Sequence, residues 1–258
     1  MISKRVIVWL LLPALGFGIA PSASAQDFRN ISSFSLDTYF DNTFETRMET
    51  VFLAPLPSDR LLLQLKASNQ VGNQLGDATS LTMVHFGPVI LFSPAVYGII
   101  TYGAGFREDG TVVHEGDIQL HYESEAFRVG GGARARIEPD DDVAYVIPTI
   151  GGKVFLPRGF GVQANWYVGI DNEGEVNHSV WVEVDYAVTP VVTPKLGASV
   201  ELGENPARPD GSELTYNLIS GVGFQLTESV SARYQLEYIG RADRDDGIRN
   251  FVYVDWRF

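Results

Sequence analysis

The last nine residues of the chain, Asn250-Phe251-Val252-Tyr253-Val254-Asp255-Trp256-Arg257-Phe258, decide the fold. Successive side chains of a β-strand point to opposite faces, so this segment has one apolar face and one polar face. The apolar face carries Val252, Val254, Trp256 and Phe258. The polar face carries Tyr253, Asp255 and Arg257. Because chain ends are normally solvated and frayed, an alternating segment that ends on a bare aromatic residue indicates a strand with an apolar medium on one side and water on the other.

The alternation and the terminal aromatic residue of this segment resemble the C-terminal insertion signal of Gram-negative outer-membrane β-barrel proteins. The resemblance places Trp256 and Phe258 in the insertion signal. It also implies export through the inner membrane and recognition by the barrel-assembly machinery. The expected location is the cell outer membrane, in contact with its lipids and lipopolysaccharide. The motif is typical of the class as a whole and of no particular family within it.

The start of the chain has the pattern of a cleaved signal peptide. Two basic residues precede an apolar run from Val6 to Leu15, and Ala23-Ser24-Ala25 is a small-residue cleavage site. The alternative is a retained membrane helix, but Pro13 interrupts the apolar run and leaves it short of the roughly 20 residues that a spanning helix needs. We therefore expect a signal peptide over residues 1–25 and a mature outer-membrane barrel over residues 26–258.

Composition limits the classes of function. Cleavage would leave 258 − 25 = 233 residues, about the size of one domain. It would also remove Lys4 and Arg5 and so change the net charge from −13 to −15, an acidic balance without the basic clusters that nucleic-acid binding requires. The chain has no cysteine, which excludes disulfides, thiolate metal sites and cysteine nucleophiles. The mean hydropathy of +0.01 fits a barrel with apolar side chains toward lipid and polar ones inside.

Runs that alternate between polar and apolar residues recur along the whole mature chain. In Val230–Tyr238, polar residues at every second position separate apolar or aromatic ones. A one-residue slip of such a strand would turn its charges into lipid, which fixes the register. Similar runs are 60–66, 127–136, 160–168 and 179–186. These polar faces favour an all-β fold, a transmembrane antiparallel up-and-down β-barrel, because its interior can accept them.

The strand number follows from parity. Thirteen runs lie between Phe44 and Phe258, and a barrel with both ends in the periplasm needs an even number of strands. The segment Phe34–Phe40 supplies a fourteenth. Twelve strands remain an alternative, because Ser80–Phe92 and Ala95–Phe106 are apolar on both faces and lack the alternation of the other runs.

The connections alternate between short turns and longer, more acidic loops, as periplasmic turns and extracellular loops do. Short turns are predicted near residues 55–59, 93–94, 123–125, 156–159, 189–194 and 226–229. Longer loops are predicted at residues 69–79, 107–114, 138–143, 171–177, 204–213 and 241–249. Aromatic residues near the short turns fit a girdle at the membrane interface. They are Phe52, Phe92, Phe127, Phe160, Tyr186, Phe224 and Phe258.

Charged residues predicted to face the interior concentrate on the two strands joined at residues 123–125. Glu115, Asp117, Gln119 and His121 precede the turn, and Arg128, Arg134 and Arg136 follow it. Antiparallel pairing would set the carboxylates beside the arginines, whose guanidinium groups offer bidentate contacts to carboxylate or phosphate. We interpret these residues as a charged pore wall; the alternative is ion pairing that only compensates buried charge. The other predicted pore-lining residues are Glu183, Asp185, Arg233, Glu237, Asp255 and Arg257.

Metal binding and catalysis are the alternatives that the loops and histidines raise. Acidic runs such as Asp140–Asp142 lack the spacing of a calcium-binding EF-hand, so we interpret them as solvated loop charges and expect neither a metal nor a cofactor. His121 near Asp117, and the pair His178-Ser179, could imitate the sites of outer-membrane lipid or peptide hydrolases. Adjacent strand residues point to opposite faces, so His178 and Ser179 cannot serve each other, and we expect no enzyme.

The expected function is an outer-membrane channel for passive diffusion of small hydrophilic solutes through a charged lumen. Beyond about eight strands side chains no longer fill a barrel, and no segment is long enough to form a plug domain. A barrel enzyme and a non-conducting structural or envelope barrel remain open. An interior filled by aromatic side chains would favour the latter, and the candidates are Tyr97, Tyr167, Trp181 and Tyr253.

Overall fold

The computed structural model of the protein describes residues 31–39, 44–56, 58, 60–74, 77–139, 143–203, 214–241 and 247–258. The predicted signal peptide lies outside the described residues, as do the acidic loop residues 140–142, 204–213 and 242–246. No helix within these ranges is long and apolar enough to cross a membrane.

The described chain consists almost entirely of β-strands. Their bounds are β1 Ile31–Tyr39, β2 Phe44–Pro55, β3 Leu61–Gln74, β4 Asp77–Leu91, β5 Val96–Arg107, β6 Val112–Glu123, β7 Phe127–Glu138, β8 Val143–Leu156, β9 Phe160–Asp171, β10 Val176–Tyr186, β11 Val192–Leu202, β12 Leu214–Gln225, β13 Val230–Arg241 and β14 Gly247–Arg257.

Each strand pairs antiparallel with the next, and β1 also pairs with β14, so the sheet closes into a barrel. The predicted fold and the number of fourteen strands are confirmed, and the alternative of twelve is wrong. The two segments that are apolar on both faces form β4 and β5, which pair over most of their length. Closure leaves no free sheet edge, which is the condition for strands to lie in an apolar medium.

The two ends of the barrel differ in their connections. At the end where β14 terminates, consecutive strands are joined by tight turns, such as the 3-10 turn Pro157–Gly159, whose Arg158 and Gly159 have positive φ. We call this end the turn end and the opposite one the loop end. The turn predicted at residues 189–194 is shorter than expected, because β11 already begins at Val192 and includes Pro194.

The predicted loop over residues 69–79 is wrong, because β3 and β4 continue through it as paired strands. Its polar residues suggested a loop, but they find partners on the neighbouring strands. Gln70 donates a hydrogen bond from Nε2 to Glu45 Oε2 at 2.8 Å and accepts one from Arg47 Nη2 at 3.0 Å. The hairpin therefore extends farther than a hydropathy pattern indicates.

Exposure alternates along the strands and separates an outer wall from an interior. On β10, Glu183 and Asp185 are buried, while Val182 and Val184 are exposed. The apolar exposed side belongs to the outer wall, since a barrel in lipid presents apolar side chains outward. The predicted aromatic residues near the turn end follow this rule, and Phe258 is 58% exposed.

Candidate functional site in the barrel interior

The structure places all the predicted pore-lining residues on the interior face of their strands. On β6 and β7 the register sets Glu115 opposite Arg136, Asp117 opposite Arg134 and Glu123 opposite Arg128. On β13 and β14, Glu237 and Asp255 are buried. Position alone does not assign these side chains a role in transport.

The contacts between β6 and β7 differ from the predicted ladder. Arg134 lies between two carboxylates, with Nε 3.6 Å from Glu115 Oε1 and Nη2 3.6 Å from Asp117 Oδ2. Arg136 does not pair with Glu115; its Nε lies 2.7 Å from Glu138 Oε1. Arg128 approaches Glu123, with 3.9 Å between Nε and Oε2. Only one of the three arginines therefore contacts the predicted carboxylates.

Glu138 is an interior residue that the sequence pattern missed. It is almost fully buried at the end of β7, where Arg136 and Arg107 both approach its carboxylate. The distance from Arg107 Nη2 to Oε2 is 2.7 Å. The alternation of β7 already put position 138 on the inward face, but the residue lay in a predicted loop.

A second group of charges extends from β2 to β6. His85 Nε2 lies 3.1 Å from Glu115 Oε1, and Lys66 Nζ lies 3.4 Å from Glu49 Oε2. His85 reaches Glu115 by crossing β5 above Gly103, where a Cβ atom would lie 2.1 Å from the imidazole ring. The glycine is therefore necessary for this contact between non-adjacent strands.

Buried ion pairs occupy the turn end between β8 and β11. Lys153 forms an ion pair with Asp185, and Lys195 forms one with Glu183. All four side chains are buried. Lys153 on β8 reaches Asp185 on β10 across Gly161 of β9, in the same way that His85 crosses Gly103. The sequence predicted the two acids as interior residues but not their lysine partners, although both lysines occupy inward positions of the alternation.

The predicted charges on β13 and β14 also find partners inside. Arg249 Nη1 donates a hydrogen bond to Glu237 Oε2 at 3.0 Å, and Ser231 donates one to Asp255. The guanidinium of Arg233 lies 5.8 Å from the centre of the Tyr253 ring. Arg249 was predicted to lie in a loop and is instead part of β14.

A chamber opens on the interior face of β6 to β9. Its volume is about 250 Å³. Three inward positions of its wall are glycines, at Gly130, Gly132 and Gly151, and Gly130 lies directly opposite Gly151 in the register. The polar side chains around it are Asp117, Gln119, His121, Arg134, Thr149, Asn165 and Tyr167. Arg134 keeps 42% of its side chain exposed there, so the interior is not completely filled at this level.

Hydrogen bonds link three side chains of β6 along one edge of the chamber. Gln119 donates from Nε2 to Asp117 Oδ2 at 2.9 Å, and its Oε1 lies 2.9 Å from His121 Nε2. The His121 ring also stacks on Tyr97, with 4.8 Å between ring centres. Tyr97 therefore lies against His121 on the wall. Tyr253, in the same way, lies against Arg233.

The histidines considered for catalysis are separated in space. His178 lies on the outer wall, where its ring stacks on Trp166 at 6.0 Å between centres, while Ser179 points inward. His121 contacts Gln119 and Tyr97 as described. Among the described residues, no group of three or more His, Asp or Glu side chains is arranged to hold a metal ion.

The known proteins that this chain resembles are similar to it in structure. No protein-family model matches the chain, and no curated protein matches its sequence. A solved structure of a bacterial polysaccharide outer membrane secretin superimposes with a TM-score of 0.61 at 10% identity, covering 89% of this chain and 98% of that one. The CymD monoaromatic hydrocarbon channel gives 0.60 at 10% identity, with coverages of 89% and 88%. The P. putida toluene transporter TodX gives 0.59 at 9% identity, with coverages of 90% and 91%.

Identities this low establish a shared fold and nothing about the solute. The closed antiparallel ladder and these similarities together show that the chain has the barrel fold of these membrane proteins, with fourteen strands.

Proposed function

We propose that the protein is an outer-membrane channel through which small hydrophilic solutes diffuse passively along a charged lumen. In the proposed channel, the turn end faces the periplasm and the loop end faces the cell exterior, as in outer-membrane barrels generally. The observation that carries the proposal is the polar chamber beside Arg134, which remains partly exposed although strands surround it on all sides.

The interior also limits the size of the solute. Many inward side chains, among them Lys153, Gln163 and Glu183, have almost no exposed surface, so the free passage is narrow. Two barrels of similar fold are described as a monoaromatic hydrocarbon channel and a toluene transporter. The wall of the present chamber is rich in polar and charged groups, whose desolvation by a hydrocarbon would cost free energy, and this favours a hydrophilic solute.

The proposal is tested by reconstituting the purified barrel in planar lipid bilayers. We expect discrete single-channel conductance steps for the wild type. Replacing Arg128, Arg134 and Arg136 by Gln should shift the reversal potential in a salt gradient toward cation selectivity, because the interior carboxylates are then less compensated. Leu218→Ala, which changes an exposed outer-wall residue, serves as the control and should leave the reversal potential unchanged.

Two outcomes would contradict parts of this proposal. The absence of conductance in the wild type would remove the channel function and favour a non-conducting envelope barrel. Conductance with unchanged selectivity in the triple variant would show that the three arginines only support the wall.

A further inference from the structure

We propose that the chamber on β6 to β9 is a binding site for uncharged polyhydroxylated solutes of monosaccharide size. The inference rests on the proposed channel function and specifies the class of solute that the channel selects. Four properties of the chamber support it: its shape, its charge balance, its neutral hydrogen-bonding groups and its volume.

The shape follows from the register of the four strands. At one level of the wall, His121, Gly130, Gly151 and Asn165 lie side by side on consecutive strands. At the next level toward the loop end, Gly132 lies between Gln119 and Thr149. Gly130 and Gly151 leave room for the side chains beside them, because a Cβ atom would lie 2.5 Å from His121 Nδ1 at Gly130 and 1.9 Å from Asn165 Oδ1 at Gly151. Where β7 and β8 meet, the wall therefore has no inward side chain of its own and is lined by these two polar groups.

Two oppositely charged side chains that line the chamber, Asp117 and Arg134, compensate each other's charge. Arg134 is the one Lys or Arg among the described residues that line it, and it lies 3.6 Å from both Asp117 and Glu115. An anionic solute would approach these carboxylates, and a cationic solute would approach Arg134. A solute with net charge must therefore disrupt an existing ion-pair arrangement, whereas a neutral solute need not.

Neutral donors and acceptors remain available for the solute. Within the described part of the chain, neither the Asn165 amide nor the Tyr167 hydroxyl forms a hydrogen bond. The Thr149 hydroxyl has only a long contact of 3.5 Å to the Ile147 carbonyl oxygen. Amide, phenol and hydroxyl groups both donate and accept, as sugar hydroxyls do. The Tyr167 ring adds an apolar face suited to the C–H side of a pyranose.

The volume restricts the solute to one small ring. At about 250 Å³, the chamber is below the roughly 300–1,000 Å³ typical of pockets for drug-sized ligands. A single hexose is consistent with this space, and a longer saccharide would have to extend along the narrow lumen.

Three probes with the same ring and different charge test the inference: glucose, glucuronate and glucosamine. We expect the purified, folded wild-type barrel to bind glucose more tightly than either charged probe in isothermal titration calorimetry. Proteoliposomes containing it should also take up glucose fastest. Asn165→Ala and Tyr167→Phe should each weaken glucose binding roughly three- to tenfold, the loss expected for one neutral hydrogen bond. Arg134→Gln should shift the preference toward glucosamine, because Asp117 and Glu115 lose their counter-charge.

The control is Leu218→Ala on the outer wall, and heat-modifiable migration in gels verifies that each variant folds. Tightest binding of glucuronate would overturn the inference and show that Arg134 is an anion site. Equal affinities for the three probes in a barrel that conducts ions would also overturn it while leaving the channel function intact. Glucose binding to a barrel that does not conduct would remove the channel function and keep the site.

Discussion

Two interior glycines allow side chains to cross a whole strand. Gly161 lies between Lys153 and Asp185, and Gly103 lies between His85 and Glu115. Any larger residue at these positions would occupy the space through which the longer side chain passes. The interior charges are therefore compensated by partners on next-nearest strands as well as on direct neighbours.

Replacing Gly161 by Ala tests this crossing. The new Cβ atom would lie 2.6 Å from Lys153 Cε and 2.7 Å from Asp185 Oδ1, so the ion pair would have to separate. We expect a loss of roughly 1–3 kcal/mol in the free energy of unfolding, as for other overpacked sites. The measurement is urea-induced unfolding in lipid vesicles. Gly116→Ala is the matched control, because a Cβ at that position meets no atom within 4 Å. Equal losses for the two variants would argue against a crossing side chain.

Removing one member of the Lys153–Asp185 ion pair should lower the free energy of unfolding more than removing both members. Lys153→Met leaves the Asp185 carboxylate buried without its counter-charge, which typically costs about 3–5 kcal/mol. The double variant Lys153→Met/Asp185→Leu removes both charges and should recover most of that loss. A double-mutant cycle based on unfolding free energies measures the coupling, and strictly additive effects would mean that the pair contributes no coupling.

At the scale of the element, the alternation of each strand determines which residues meet lipid. On β13, Leu236 is 41% exposed on the outer wall, while its neighbour Gln235 points into the interior. The sequence predicted this orientation correctly, because a single slip would have placed Arg233 and Glu237 in lipid. The positions at which strands end near the loop end were less predictable from the sequence. In β3 and β4, polar residues continue the paired strands because they form hydrogen bonds with side chains on neighbouring strands.

Substitution by arginine at position 235 and at position 236 should change the free energy of unfolding by very different amounts. Leu236→Arg places a charge toward lipid and should lower the free energy of unfolding by about 2–4 kcal/mol if the residue lies near the bilayer midplane. Gln235→Arg places the same side chain in the polar interior and should cost much less. Unfolding free energies of both variants in lipid vesicles test this comparison. The reverse order would mean that the strand presents its other face to the membrane.

At the scale of the whole molecule, closure depends on the pairing between the first and the last of the described strands. β14 pairs with β1, and beyond this seam the Phe258 ring packs edge-to-face against Phe52 of β2, with 6.1 Å between ring centres. The terminal residue thus contributes to the aromatic girdle across the seam, in addition to its predicted role in the insertion signal.

Deletion of Phe258, or its replacement by Ser, should therefore lower the yield of assembled barrel without reducing export. The expected result is less heat-modifiable protein in the outer-membrane fraction and more unfolded protein in the periplasm. Tyr186→Ser, which alters the girdle away from the seam, is a suitable control. A normal yield after deletion of Phe258 would refute its role in assembly.

The sequence by itself determined the class of fold and the inward or outward direction of most side chains, and it favoured fourteen strands over twelve. These properties follow from a period of two residues and from the cost of placing charge in lipid, and both are local. The ion partners and the chamber were decided only by the tertiary structure. They depend on the register between different strands, which sets Gly161 beneath Lys153 and aligns Gly130 with Gly151. A side chain that crosses a glycine meets a residue two strands away, and no pattern within a single strand carries that information.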